Sequence, residues 1–251
     1  MSLKTFAFDE RRQIIVPGNY RETVLFATEH LLETAKKAIA ERGLFTIALS
    51  GGSTPKAIFQ ELKNHKTSID WGKVFVFWSD ERAVSPDHPD SNYKMAMDNG
   101  LAELPIPKHQ IFRMHAENHI EMNAISYEEL IKQIVNNEEF DLIMLGMGDD
   151  GHTASLFPGT KALGVSDKLV TSNYVDKQKA HRMTFTFPLI QKGLVKIIYV
   201  LGLEKTEVVS NVLYDEKESY PAGIVGTKKH PALWILDNNA ATSLVKKINA
   251  A

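Results

Sequence analysis

The sequence predicts an α/β protein in which a mostly parallel sheet is flanked by helices, and three observations carry that reading. Short, almost wholly apolar runs recur at Phe45–Leu49, Val74–Trp78, 142–145 and 196–201; strands this apolar are buried on both faces, as parallel strands under covering helices are. Between the runs lie stretches with apolar residues at helical spacing, the crossovers that parallel strands require. Glycine-rich turns follow the runs that end at Leu49 and Leu145, at the strand ends where α/β sheets keep their ligands.

Taken in order, residues 22–41 read as a long first helix, with Gly43 just past its end to supply a left-handed terminal residue. The run at Phe45–Leu49 leads through Ser50-Gly51-Gly52-Ser53-Thr54-Pro55 into a helix over 55–63, with Thr54 as its cap and Pro55 in the first turn, where a missing N–H costs nothing. The run at Val74–Trp78 ends in Ser79-Asp80-Glu81-Arg82-Ala83-Val84 and a polar loop, after which a helix is expected over 92–103. Helices over 124–135, 206–213 and 240–247 complete the pattern. No repeat, low-complexity tract or linker divides the 251 residues, so one domain, 1–251, is expected.

Composition narrows the chemistry. With 43% apolar and 24% charged residues the chain has the profile of a soluble globular protein. A formal charge of −2 gives no global field for nucleic acid or an anionic membrane, so a bound anion must be held by a local cluster. The absence of cysteine removes disulfides, a thiol nucleophile and zinc–thiolate sites. Met1-Ser2-Leu3-Lys4 leads into Phe6, Asp9 and Glu10 without a long apolar segment, so neither a secretory signal nor a membrane span is expected, and the cytoplasm is the expected location. The sequence sets no oligomeric state.

Three clusters carry chemistry. In Gly146-Met147-Gly148-Asp149-Asp150-Gly151-His152-Thr153-Ala154-Ser155, glycines at a strand end let main-chain N–H groups converge while a carboxylate and an imidazole stand on one turn. The turn at Ser50–Pro55 is shaped for phosphate: small residues permit close approach, Ser53 and Thr54 can donate, and a helix N-terminus adds free N–H groups. It has neither the spacing nor the lysine of a nucleotide-binding P-loop. In the third, Arg82 can clamp a phosphate or steady an oxyanion, the plain alternative being a surface pair with Asp80 or Glu81.

These clusters resemble, in this order, the cytosolic 6-phosphogluconolactonase family of the glucosamine/galactosamine-6-phosphate isomerase superfamily. The motifs are Ser50–Pro55, Asp80–Val84 with Ser91-Asn92-Tyr93, Gly146 through Gly159, and a strand at Arg182-Met183-Thr184-Phe185-Thr186; Gly202-Leu203-Glu204-Lys205 and Leu233-Trp234-Ile235-Leu236-Asp237 agree as well. The resemblance implies a Rossmann-like three-layer domain that hydrolyses 6-phospho-D-glucono-1,5-lactone, without metal or other cofactor, its partner being the small-molecule sugar phosphate lactone, with no nucleic acid or membrane. It places His152 as general base, since imidazole accepts a proton near neutral pH, with Asp150 or Asp80 assisting it and Arg82 in the catalytic set. Phosphate holding then falls to Gly51, Gly52, Ser53, Thr54, Arg182 and Lys205, with Asp80 in the substrate-binding set.

The nearest competing enzyme is a glucosamine-6-phosphate deaminase, whose turn resembles G-H-I-A-F-N-E-P and carries a glutamate, whereas this chain has Thr153-Ala154-Ser155-Leu156-Phe157-Pro158. A non-catalytic sugar-phosphate sensor would keep the pocket but has no need of His152 with Asp150. No G-x-S-x-G elbow marks a serine hydrolase. His115-Ala116-Glu117-Asn118-His119 is not the H-E-x-x-H zinc motif and reads as a solvated segment.

Overall fold

The computed structural model describes residues 4–215 and 219–250. Along them run β1 (Lys4–Ala7), β2 (Arg12–Val16), α1 (Tyr20–Arg42), β3 (Phe45–Leu49), α2 (Ser53–Leu62), β4 (Val74–Trp78), β5 (Asp80–Arg82), α3 (Asn92–Asp98), α4 (Ile120–Ile134) and β6 (Leu142–Gly146). The second half continues with β7 (Val170–Val175), β8 (Ala180–Phe185), α5 (Phe187–Lys192), β9 (Val195–Val200), α6 (Thr206–Leu213), α7 (Pro221–Ile224), β10 (Ala232–Leu236) and α8 (Thr242–Ala250).

Seven strands form one sheet in the order β1-β2-β10-β9-β6-β3-β4. Only the edge pair β1–β2 is antiparallel; every other neighbour is parallel, so the expected mostly parallel sheet flanked by helices is present. β3 and β10 are buried at all five positions, and Trp78, Trp234, Phe77 and Phe140 fill the core around them. The chain steps outward from β3 to β4, then returns to place β6 on the other side of β3. That reversal opens a crevice beyond the carboxyl ends of β3 and β6.

The strands at Phe45–Leu49 and Val74–Trp78 fall where expected. Gly43 ends α1 in the left-handed conformation (φ 83°), its N–H bonded to Ile39 O; α1 also opens on a capping box between Asn19 and Glu22 that the apolar spacing does not reveal. Two expectations need correction. α2 begins at Ser53 with Gly52 (φ 104°) in the cap position, so Thr54 and Pro55 lie inside its first turn and Thr54 is not the cap. The helix expected over 92–103 stops at Asp98, because Gly100 (φ 130°) turns the chain so close to the Phe59 carbonyl that a Cβ would lie 2.2 Å from its oxygen.

A second sheet, antiparallel in the order β5-β8-β7, stands apart from the first. It has no counterpart in the hydrophobic pattern, although the family motif points to a strand at Arg182. Its register sets Asp80 opposite Thr184 and Arg82 opposite Arg182. None of the described helices is long and apolar enough to cross a membrane.

Candidate active site

A cleft of about 210 Å³ opens at the reversal of strand order and is lined from four strand ends. After β3 come Ser50, Gly51, Gly52, Ser53 and Thr54; after β4, Asp80 and Arg82; after β6, Gly146, Met147, Gly148 and His152; after β9, Lys205. Ser79 holds the strand ends together, its N–H on Leu49 O (2.8 Å) and its hydroxyl donating to Leu49 O and Met144 O.

The turn after β6 is folded around His152. Gly148 N–H donates to His152 O and Gly151 N–H to Gly148 O, both at 3.0 Å, and a Cβ on Gly148 would fall 2.0 Å from His152 Cε1, so the imidazole fits only against glycine. His152 Nδ1 lies 2.5 Å from Asp150 Oδ1, which also accepts the His152 main-chain N–H at 3.2 Å. Burial works against the charged Asp150, but the hydrogen bond from the imidazole, its charge and the main-chain N–H groups prevail and hold the carboxyl below the usual carboxylate range. An ionised Asp150 fixes the proton on Nδ1 and leaves Nε2 as the accepting nitrogen.

The phosphate-shaped turn is equally specific. Asn92 Oδ1 would sit 1.9 Å from a Cβ on Gly51, so Gly51 brings the N-terminus of α2 against α3. Lys205 reaches the cleft with its ammonium on Asp149 Oδ1 at 2.5 Å.

Asp80 is 5% exposed and spends its carboxylate within the protein: Oδ2 accepts from Ser155 Oγ (2.7 Å) and Oδ1 from Asn92 Nδ2 (3.4 Å), which also bonds Asp80 O at 2.9 Å. It ties the His152 turn to α3. Its neighbour Glu81 accepts the N–H groups of Arg82, Asn92 and Tyr93 and the Ser91 hydroxyl, yet burial pushes its carboxyl above the usual range. Arg82 Nη1 donates to Asp90 O at 2.7 Å. Arg182 stands opposite it and donates to Gln178 Oε1; burial and then the like charge of Arg82 lower its affinity for its proton. Both arginine Nε atoms are buried without a hydrogen-bond partner among the described residues.

Residues 19–234 match the family model described as glucosamine-6-phosphate isomerases/6-phosphogluconolactonase. The chain belongs to this family. It is 43% identical over 216 residues to the 6-phosphogluconolactonase of Synechocystis sp., covering 83% of this chain and 88% of that one. With the 6-phosphogluconolactonase of Chlamydia muridarum it shares 39% identity over 235 residues, 93% and 91% of the two chains. The crystal structure of 6-phosphogluconolactonase from Thermotoga maritima superposes with a TM-score of 0.80 at 28% identity, covering 91% of this chain and all of that one.

Of the residues singled out in this member of the glucosamine-6-phosphate isomerase/6-phosphogluconolactonase family, Gly51, Gly52, Ser53, Thr54, Asp80, Arg82, His152 and Lys205 share the cleft. Asp150 is bonded to His152 without lining the cleft, and Arg182 stands beside Arg82 rather than in the wall. Asn92, Ala154, Tyr199, Val200 and Leu201 line it without a role having been expected of them; Asn92 and Ala154 stood in quoted motifs, whereas Tyr199 lies within the apolar strand β9 and carries no local signal. In the His115–His119 stretch, Glu117 is taken by Arg113 through two hydrogen bonds.

Proposed function

We propose that this chain, as one domain spanning residues 1–251 and in the cytoplasm, hydrolyses 6-phospho-D-glucono-1,5-lactone to 6-phospho-D-gluconate, the second step of the oxidative pentose phosphate pathway. The observation that carries this reading is His152, held from behind by Asp150, in a cleft that also holds a helix N-terminus, an arginine and a lysine, in a chain 43% identical to a 6-phosphogluconolactonase.

Opening a lactone needs an activated water, stabilisation of the charge that develops on the carbonyl oxygen, and a grip on the phosphate. His152 Nε2 takes a proton from water as its oxygen attacks C1. Arg82 steadies the oxyanion. When the tetrahedral intermediate collapses, the C1 bond to the ring oxygen breaks and that oxygen takes the proton back from His152. The main-chain N–H groups of Gly51 and Gly52, the hydroxyls of Ser53 and Thr54, and Lys205 hold the phosphate, with Arg182 reinforcing the positive field. Asp80 keeps the turns that carry these groups in register.

The test is production of 6-phosphogluconate from freshly generated lactone, read through a coupled dehydrogenase with the spontaneous rate subtracted. Acceleration is expected. If the protein instead released ammonia from glucosamine 6-phosphate, the deaminase reading would replace this one; silence on both substrates would favour a sensor.

A further inference from the structure

Asp149 follows Gly148 and precedes Asp150 in the turn that carries His152, and its side chain is 85% exposed, so packing does not explain its position. Its Oδ1 lies 2.5 Å from Lys205 Nζ, whose side chain is only 20% exposed and lines the cleft. The cleft's lysine is therefore matched, in the protein itself, by a carboxylate outside the wall.

We propose that Asp149 sets how tightly the cleft holds a phosphate group by competing with it for Lys205. The proposal rests on Lys205 as a phosphate ligand. An ammonium has three donors and can touch both anions, but the two are then held within about two hydrogen-bond lengths and repel one another. Asp149 thus weakens every phosphate-bearing ligand alike, substrate, product and inorganic phosphate, and leaves an unphosphorylated lactone unaffected. At so exposed a site the effect is modest, roughly three- to tenfold in affinity.

The experiment is Asp149→Asn, with Asp149→Glu as the charge-conserving control, titrated with inorganic phosphate by calorimetry and assayed with 6-phosphogluconolactone and with glucono-1,5-lactone. Asp149→Asn should bind inorganic phosphate roughly three- to tenfold more tightly and lower KM for the phosphorylated lactone by a similar factor. Asp149→Glu should behave as wild type, and the turnover of glucono-1,5-lactone should not change. In the Lys205→Ala background the gain should shrink, because the competition acts through that ammonium. Unchanged or weaker phosphate binding in Asp149→Asn, or an undiminished gain without Lys205, would overturn the proposal. Phosphate binding is read without turnover, so wild-type protein that binds phosphate but leaves the lactone untouched would defeat the lactonase reading and not this one.

Discussion

His152 lies face to face on Phe157, ring centroids 3.9 Å apart and planes 24° from parallel. With Asp150 on Nδ1 and Gly148 against its edge, the imidazole is held with Nδ1 engaged, and Nε2 has no hydrogen-bond partner among the described residues.

Gly148→Ala tests the seat. The added methyl would meet Cε1 and Nδ1 of His152 at 2.0 and 2.1 Å, so the ring must leave. A misplacement of about 1 Å costs on the order of 10²-fold in rate. We expect kcat to fall by about that factor while the affinity for inorganic phosphate, held elsewhere in the cleft, stays within a few-fold. A kcat close to wild type would show that the imidazole does not need this position.

Asp150→Asn tests the orientation of the base. The amide keeps the shape of the carboxylate but not its charge, so kcat should drop with little change in KM. The carboxyl of Asp150 is held below the usual range, so it contributes stability that is present above the unfolded value and lost as pH falls through the folded one. Wild type should therefore lose more stability on acidification than Asp150→Asn does, measured by urea unfolding across the acid range. Parallel acid profiles would contradict the depressed carboxyl.

The proposed roles divide the cations between chemistry and binding. Arg82→Ala should lower kcat, whereas Lys205→Ala and Arg182→Ala should mainly raise KM, Lys205→Ala by roughly tenfold or more, the scale of one hydrogen bond to a charged group. Steady-state kinetics on the three variants separate the roles. A rise in KM alone for Arg82→Ala would move that residue to the phosphate.

Lys196 gives a prediction away from the site. It is wholly buried in β9, its ammonium donates to Gly193 O (2.8 Å) and Gln191 O (3.4 Å), and burial pushes it down to about 8. Between that value and the ordinary value of 10.5, the unfolded chain holds a proton that the folded one lacks. Stability from this site therefore rises with pH through the window. The difference in unfolding free energy between Lys196→Met and wild type should shift in favour of wild type from pH 7 to pH 10.5; a flat difference would contradict the lowered ammonium.

The parallel strands at Phe45–Leu49, Val74–Trp78, 142–145 and 196–201 were legible because burial on both faces leaves a continuous apolar run; β10, equally buried, entered only through the family motif, and β2, with a mixed burial pattern, was not read as a strand. β5 was not, since a three-residue strand reading Asp80-Glu81-Arg82 takes its place from pairing with β8 rather than from its own hydrophobicity. In the site, His152 and Asp150 sit two residues apart on one turn and announced themselves. The hydrogen bond from Ser155 to Asp80 spans 75 residues, and the Arg82–Arg182 pairing depends on strand register; neither leaves a local pattern. Gly100 misled for a related reason: an isolated glycine within a helical pattern shows its turn only once its conformation and its contact with Phe59 are known.

The most direct test of His152 as the base is turnover of 6-phosphoglucono-1,5-lactone by His152→Ala beside wild type, with inorganic phosphate binding measured on the same samples. A loss of about 10²–10⁴ in kcat is expected, with phosphate binding retained. Hydrolysis at the wild-type rate by the variant would contradict it.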